Sequence, residues 1–270
     1  MAPVACASRL RIQMKQPLSV TIVTLNEEKN LTRALESVKW ADDILVVDSG
    51  STDATVSIAA AYGARVVKQK WLGYGAQKNF AQNLAKHDWV LNLDADEEVS
   101  PELVKEICEV ISRARSLEKS DKYTAGFSMP RKTWYLGRWI LHGGWYPNRI
   151  VRLVDRRYAK WSEPEVHEAL LVQGETEMLH ADLLHYTFHA IGDQVETNLC
   201  FSRLGYRDLL RKGAQASLLK LVLKPIGKFI ETYILKKGFL DGVPGFIISV
   251  NAAHSIFLKY AYFFEPENQA

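Results

Sequence analysis

The stretch Trp89-Val90-Leu91-Asn92-Leu93-Asp94-Ala95-Asp96 is a short apolar run that ends in two carboxylates. The run has the length of a buried β-strand, and ligands of open α/β sheets bind at the carboxyl ends of strands. Two carboxylates two residues apart can both reach one cation or its water shell. Hard divalent ions such as Mg²⁺ or Mn²⁺ suit such oxygen ligands. The stretch therefore predicts a metal site at a strand end, with solvated loop acids as the alternative.

The chain around this stretch alternates between strand-length and helix-length segments. Continuous apolar strands that alternate with helices indicate a parallel sheet covered on both faces. Ser100-Pro101-Glu102 has the residues of a helix start, with serine as the cap and proline at the first helical position. After residue 125 short β-like runs follow, and the chain is predicted to be helical from about residue 198. The strand runs are 18–25, 44–47, 66–67, 89–93, 126–130 and 150–154, and the helical stretches are 31–40, 52–62, 75–86 and 100–115.

Two earlier strands also end in polar residues. The first is followed by Thr24-Leu25-Asn26-Glu27-Glu28 and the second by Val47-Asp48-Ser49-Gly50-Ser51-Thr52-Asp53. Ser, Thr and Asp are good helix caps, so a capping turn is the alternative for the second stretch. Parallel strands place all three polar ends on one edge of the sheet, and this favours a common binding site.

These motifs together resemble those of the family-two inverting glycosyltransferases of GT-A fold. The resemblance rests on Thr24-Leu25-Asn26-Glu27, Val47–Asp53, Gln77-Lys78-Asn79 and Leu93-Asp94-Ala95-Asp96, and it covers about residues 18–189. It implies an α/β, Rossmann-like fold with a mostly parallel sheet and helices on both faces. Within this family, the chain resembles the branch of lipopolysaccharide core glucosyltransferases. That resemblance rests on the Asp48–Asp53 sequence, on Gly143-Gly144-Trp145-Tyr146, on Val166-His167-Glu168 and on a basic C-terminal helical segment.

The resemblance implies roles for the donor-side residues. Lys78 would lie near the phosphates of a nucleotide-sugar donor, and Asp96 would bind Mg²⁺ or Mn²⁺ directly as the second acid of a D-x-D motif. Asp94 would lie near the ribose or the metal. Ser49 stands where many relatives have a second Asp, which leaves open how the base is recognised. The remaining residues assigned to donor binding are Thr24, Asn26, Glu27 and Asp48.

The resemblance also implies an acceptor side and a catalytic base. Gly144, Trp145 and Tyr146 would belong to an acceptor-side loop in which aromatic faces pack against a sugar ring; a plain turn is the alternative. An inverting transfer needs one carboxylate to take a proton from the acceptor hydroxyl. Glu168 is the expected base and Glu165 the next candidate, with a polar surface loop as the alternative.

His185-Tyr186-Thr187-Phe188-His189 alternates like a strand, which would place both histidines on one face. The resemblance implies that a histidine downstream of the base completes the shell of the metal or diphosphate. His185 fits this role better than His189, and a structural histidine is the alternative.

Charge separates the C-terminal segment from the rest of the 270-residue chain. The net charge is +3, but residues 203–240 carry +7 and the remainder −4. Lys220, Lys224 and Lys228 recur on one helical face, Pro225 should kink or divide that helix, and an aromatic-rich stretch follows at 243–264. A basic amphipathic element on an anionic membrane is the favoured interpretation. An ordinary core helix and a spanning helix are the alternatives.

The predicted organisation is an N-terminal tail at 1–17, a GT-A domain at 18–198 and a basic, membrane-associating helical segment at 199–270. Three cysteines without paired spacing indicate a reduced, cytoplasmic protein, and the basic segment predicts a peripheral position on the inner face of the cytoplasmic membrane. The expected reaction moves a hexose, glucose from UDP-glucose, to a lipid-linked saccharide of the lipopolysaccharide inner core, and no nucleic-acid partner is expected. A polyprenyl-phosphate sugar synthase, a nucleotidyltransferase and an inactive membrane scaffold are the rival functions.

Overall fold

The computed structural model describes residues 16–117, 123–163 and 168–265, and at 114–117 it describes the backbone only. The chain divides into two compact units. The first comprises the described residues up to Met129 together with Val151–Asp182, and the second comprises Pro130–Ile150 and the described residues from Leu183 onward. The second unit thus includes 130–150, which the sequence analysis assigns to the GT-A domain. Most of the predicted tail, residues 1–15, lies outside the described residues.

The described residues contain strands in both units and helices between and after them. The strands are β1 Leu18–Thr24, β2 Asp43–Asp48, β3 Arg65–Lys68, β4 Trp89–Asp94, β5 Glu97–Val99, β6 Thr124–Tyr135, β7 Arg138–Ile140, β8 Asn148–Asp155, β9 Ala159–Trp161, β10 Leu170–Val172, β11 Glu175–Met178 and β12 Leu183–His185. The helices are α1 Leu31–Ser37, α2 Thr55–Ala61, α3 Tyr74–Asn83, α4 Pro101–Leu117, α5 Ile191–Arg211, α6 Leu218–Phe229 and α7 Gly242–Ala261.

A parallel sheet forms the centre of the first unit. Its strands lie in the order β3-β2-β1-β4, and each neighbouring pair is parallel. Leu18, Val20 and Ile22 in β1 are fully buried, as are Val46 and Val47 in β2. Strands buried on both faces are expected when helices cover a parallel sheet. The predicted α/β fold class is confirmed.

Further strands make the sheet mixed. β8 pairs antiparallel with β4, β6 lies next to β8, and β11 pairs parallel with the first half of β6. β9 and β10 form a separate antiparallel pair. The predicted run at 126–130 is only part of β6, because the later residues of β6 find partners in β7 and β12 that local sequence does not reveal.

The helix starts depend on capping. The backbone N–H of Leu103 donates to Ser100 Oγ at 3.2 Å, so the predicted cap of α4 is confirmed. α2 begins at Thr55 rather than at residue 52, because Asp53 Oδ1 accepts the N–H of Thr55 at 3.0 Å and residues 52–54 form the preceding turn. An Asp at this place competes with the helix for backbone donors.

The second unit combines the end of β6, β7 and β12 with three helices. The strand predicted over residues 185–189 is wrong beyond His185. There the N–H of His189 donates to the Asp193 carboxylate at 2.9 Å, and α5 begins two residues later. Pro225 lies inside α6 without dividing it, and a π-helical turn follows at Ile230–Leu235. None of the helices in the described residues is long and apolar enough to cross a bilayer.

Candidate active site

Hydrogen bonds join the ends of β1 and β2. Asn26 has a φ of 54°, a conformation that Asn tolerates better than most residues. Its N–H donates to Ser51 Oγ at 2.8 Å, and its Oδ1 accepts the N–H of Thr52 at 2.9 Å. The amide nitrogen of the side chain is the group with which Asn26 could contact a nucleoside.

Asp48 closes the turn after β2. It is fully buried, and its carboxylate accepts the N–H groups of Gly50 at 3.0 Å and Ser51 at 3.1 Å. Gly50 has a φ of 108°, which disfavours any other residue. The Asp48 carboxylate, which is predicted to contact the nucleoside, therefore also stabilises the turn at Gly50 and Ser51.

Thr24 and Glu27 lie at the end of β1 and just after it. The N–H of Glu27 donates to Thr55 Oγ1 at 2.8 Å, and Glu27 Oε2 accepts from Asn30 Nδ2 at 2.9 Å. The hydroxyl of Thr24 is buried and has no hydrogen-bond partner within the described residues. A buried hydroxyl without a partner costs stability, so Thr24 is a candidate for a ligand contact.

Gln77 on α3 supports the same edge of the sheet. This residue is fully buried, and its Nε2 donates to Ser49 Oγ at 3.1 Å and to the carbonyl of Gln69 at 3.2 Å. Gln77 belongs to one of the motifs but has no predicted role. Its contact with Ser49 holds the residue at which the resemblance leaves the recognition of the base open.

Lys78 is the centre of a charge network in the first unit. Its Nζ lies 3.0 Å from Asp94 Oδ1 and 3.0 Å from Glu168 Oε1, and it stacks over the ring of Trp161 at 4.6 Å. The side chains of Lys78 and Glu168 are only 12% and 18% exposed. One lysine thus joins a predicted donor-side residue to the predicted base.

Arg152 extends this network on the other side of Asp94. Its guanidinium contacts Asp94 Oδ2 and lies 2.8 Å from Glu97 Oε1, and the N–H of Asp94 donates to Glu97 Oε2 at 3.0 Å. Burial by itself would raise the pKa of Asp94, but the charges of Arg152 and Lys78 outweigh it and hold that pKa well below its usual range. Asp94 is therefore ionised, with a cation on each oxygen.

The sequence analysis identifies neither Arg152 nor Glu97 nor Trp161 as part of the site. One signal was available for Arg152, because this residue interrupts the apolar run at 150–154. Arg152 is 4% exposed, and a charged residue that is buried needs partners of opposite charge. Nothing in the local pattern indicates which acids those partners are.

Helix α3 also holds the segment that leads to Glu168. Asn79 donates to the carbonyl of Trp161 at 3.0 Å and accepts its N–H at 2.9 Å. A Cβ at Gly75 would lie 1.9 Å from the carbonyl oxygen of Ser162, so only glycine permits this approach. The alternative base Glu165 lies outside the described residues, as does His167.

Asp96 follows β4 in a turn and is partly exposed. Within the described residues, no three His, Cys, Asp or Glu side chains form a group that could hold a metal ion. Mg²⁺ needs only one or two protein carboxylates when substrate phosphates complete its shell. Asp96 is one such carboxylate, and both oxygens of Asp94 contact cations of the protein. His185 belongs to the second unit, where its Nδ1 lies 3.5 Å from the hydroxyl of Thr133.

The predicted acceptor-side residues lie in the second unit. Gly144 has a φ of 85°, and Trp145 packs against Tyr135 and Phe188 at centroid distances of 5.7 and 6.2 Å. Trp145 and Tyr146 are partly exposed. The structure thus brings Lys78, Asp94 and Glu168 together in one unit and groups Gly144, Trp145 and Tyr146 in the other.

The chain belongs to glycosyl transferase family 2, whose family model matches residues 19–156. It is 32% identical to an uncharacterized glycosyltransferase of Rickettsia typhi over 90% of this chain and 85% of that protein. It is 27% identical to the lipopolysaccharide core biosynthesis glycosyltransferase LpsC of Rhizobium meliloti over 93% of each chain. A comparison of structures finds S. aureus TarS at 17% identity and a TM-score of 0.44, with 84% of this chain and 46% of that chain covered.

The protein is therefore a glycosyltransferase, and the predicted family is confirmed. The parallel order of β1 to β4, with polar residues after three of the strands, agrees with the predicted GT-A type of fold. The nucleotidyltransferase loses its support, because the reaction class of the family is sugar transfer.

Proposed function

We propose that this glycosyltransferase transfers glucose from UDP-glucose to a sugar hydroxyl of the lipopolysaccharide inner core, with inversion at the anomeric carbon. One observation carries the proposal. Lys78 contacts both Asp94, at the carboxyl end of β4, and Glu168, so one lysine joins a residue predicted for the donor side to the residue predicted as the base. The similarity to LpsC supports the acceptor class.

In the proposed reaction the acceptor oxygen forms a bond to the anomeric carbon while the bond from that carbon to the diphosphate oxygen breaks. The electron pair of the broken bond leaves with the nucleoside diphosphate, and Glu168 takes the proton of the acceptor hydroxyl. Lys78 lies close enough to Glu168 to hold the carboxylate in place and carries a charge that suits the donor phosphates. A metal bound at Asp96 would neutralise charge on the departing diphosphate.

We also propose a lipid-linked acceptor and a peripheral position on the inner face of the cytoplasmic membrane. The net charge of +7 over residues 203–240 supports this location, because anionic lipids attract basic segments. Exposed apolar residues on α6 and α7 add to that support.

The experiment that tests the proposed function offers a panel of nucleotide sugars to the enzyme with core-truncated lipopolysaccharide. Glucose transfer with release of UDP, and an anomeric configuration opposite to that of the donor, are the expected results. Transfer to a polyprenyl phosphate in place of the saccharide would overturn the proposed acceptor. Retention of configuration would overturn the role of Glu168 as the base of a single displacement.

A further inference from the structure

Helix α6 presents an apolar face that no described residue covers. None of its residues is buried, although seven of the twelve are large and apolar. Five of the seven are exposed, as is Ile230 just after the helix, with exposed fractions from 45% to 70%. At 100° per residue these six side chains span an arc of roughly 140° on one side of the helix. The six are Leu218, Leu219, Val222, Leu223, Ile226 and Ile230.

The apolar face continues into the turn and into α7. Leu235 and Val243 are 72% and 71% exposed, and Phe239 and Leu240 between them are about half exposed. On α7 the exposed residues Val243, Phe246 and Val250 recur at spacings of three and four, which places them on one stripe. Helices α6 and α7 pack against each other. We call the exposed apolar residues of 218–250 the docking patch.

Lysines border the docking patch. Lys236 and Lys237 are exposed in the turn that carries part of the patch, and the exposed Lys220 lies roughly 60° from the edge of the apolar arc of α6, whereas Lys224 lies on the opposite side of that helix. An exposed apolar surface of this extent indicates contact with another apolar phase. Flanking cations favour an anionic lipid surface over a second copy of the chain, since two copies would bring like charges together.

The turn that carries part of the docking patch also supports the acceptor-side loop. Asp241, 1% exposed, accepts the N–H groups of Leu141 at 3.2 Å and His142 at 2.7 Å. The carbonyl of Lys236 accepts the N–H of Gly143 at 2.9 Å. Residues on both sides of Phe239 and Leu240 thus fix the backbone that leads to Trp145.

The turn is closely packed on α7. A Cβ at Gly245 would lie 1.9 Å from the carbonyl oxygen of Gly238, so the two backbones touch. A Cβ at Gly144 would lie 2.9 Å from Lys236 Cδ, so the lysine side chain lies against the loop. A displacement or an ordering of the turn would therefore reach the loop at 141–144.

We propose that the docking patch enters the headgroup region of an anionic lipid surface and that this docking orders the acceptor-side loop through Asp241 and Lys236. The lipid contact deepens the membrane location proposed above, and the acceptor role of the loop rests on the proposed function; the ordering of the loop is measured without sugar transfer. Asp241 is a positioning residue in this proposal, and the ligand of the patch is lipid.

Binding to vesicles tests the first half. With vesicles of equal parts phosphatidylglycerol and phosphatidylcholine, the variant Leu235→Ser/Phe239→Ser/Val243→Ser should bind at least about tenfold more weakly than the parent. The control Phe201→Ser/Leu210→Ser removes side chains of α5 that are 47% and 44% exposed, and its binding should not change. Lys220→Gln and Lys237→Gln should each weaken binding about fivefold at low salt. Unchanged vesicle binding by the patch variant, or loss of a dimer in its place, would overturn the proposal.

Hydrogen exchange tests the second half without any sugar transfer. When the unmodified protein binds these vesicles, exchange should slow at residues 235–246 and also at 141–143, whose N–H groups donate to Asp241 and Lys236. Asp241→Asn should still bind vesicles while the slowing at 141–143 is reduced. Slower exchange at 235–246 alone, in the unmodified protein, would contradict the coupling. If exchange slows at both segments as expected but no nucleotide sugar of the panel is used for transfer, only the proposed function is refuted.

Discussion

Charged side chains are buried in the network around Lys78, whereas large apolar side chains are exposed in the docking patch, and both arrangements depart from the usual pattern of a folded protein. In the first, Lys78, Arg152 and Glu97 are charged side chains held largely away from water. In the second, large apolar side chains such as Leu235 and Val243 are more than two-thirds exposed. Each arrangement costs free energy of folding, because buried charges lose hydration and exposed apolar groups forgo burial. Each therefore agrees with a ligand proposed above: a nucleotide-sugar donor in the first unit and a lipid surface in the second.

The largest expected effect concerns Asp96, which belongs only to the first region. Asp96→Asn removes the carboxylate assigned to the metal, and several kcal/mol of charge stabilisation should be lost, or about 10³-fold in rate. Initial rates of sugar transfer measure this loss, while vesicle binding should not change. Glu98→Gln, two residues further along, is the matched control. Near-normal turnover of Asp96→Asn, or full activity of the parent in excess chelator, would contradict the metal assignment.

Glu168 tests the base within the same region. Glu168→Gln keeps the size of the side chain but removes proton uptake, so kcat should fall about 10²–10⁴-fold while donor binding changes little. Glu163→Gln is the control, because Glu163 accepts a hydrogen bond from Asn79 at 2.8 Å and has no assigned role in the chemistry. If Glu165→Gln is the inactive variant, the base is misassigned. Normal transfer by all three variants would favour an acceptor that arrives ionised, as a polyprenyl phosphate does.

Arg152 sharpens the comparison through stability. Arg152→Met leaves Asp94 and Glu97 without their shared cation, and the free energy of unfolding should fall by about 3–5 kcal/mol. Lys39→Met breaks an exposed pair with Glu36 and should cost less than about 1 kcal/mol. Urea denaturation measures both. An equal, small effect of the two variants would show that burial of the network does not matter.

Asp43 provides a buried acid of structural role at the opposite ends of the same strands. Burial by itself raises the pKa of Asp43, but hydrogen bonds from Arg65, Ser19 and Lys86 outweigh burial and lower that pKa from its ordinary 3.8 to about 2. The contribution of Asp43 to stability should be complete above pH 3.8, decline as the pH falls, and be lost below 2. Asp43→Asn should therefore lower the free energy of unfolding by about 2 kcal/mol at neutral pH and by much less at pH 2. A pH-independent difference would contradict this account.

Local sequence patterns were sufficient for part of the fold. The apolar runs predicted β1 to β4 and a parallel sheet, although not the order of the strands in it, and Ser100-Pro101 predicted the start of α4, because burial and capping act on neighbouring residues. The length of β6 could not be predicted in this way, since its second half depends on β7 and on the distant β12.

The candidate site was predictable residue by residue but not as a network. Lys78, Asp94 and Glu168 were each assigned from motifs, yet their mutual contacts join residues up to 90 positions apart. Arg152 stands in an apolar run, and only the fold reveals that it pairs with Asp94 and Glu97. Likewise, periodicity predicted an amphipathic α6 but not which side of it would face α7.

In the proposed function the base and the donor-side cluster around Lys78 lie in the first unit, whereas the docking patch lies in the second, so lipid docking and the chemical step should be separable. The most direct test measures sugar transfer by Leu235→Ser/Phe239→Ser/Val243→Ser with two acceptors: the lipid-linked saccharide in anionic vesicles, and the same saccharide released from its lipid. The account predicts a loss of at least about tenfold with the vesicle acceptor and a nearly unchanged rate with the soluble one. Equal loss with both acceptors, or no loss with either, would contradict it.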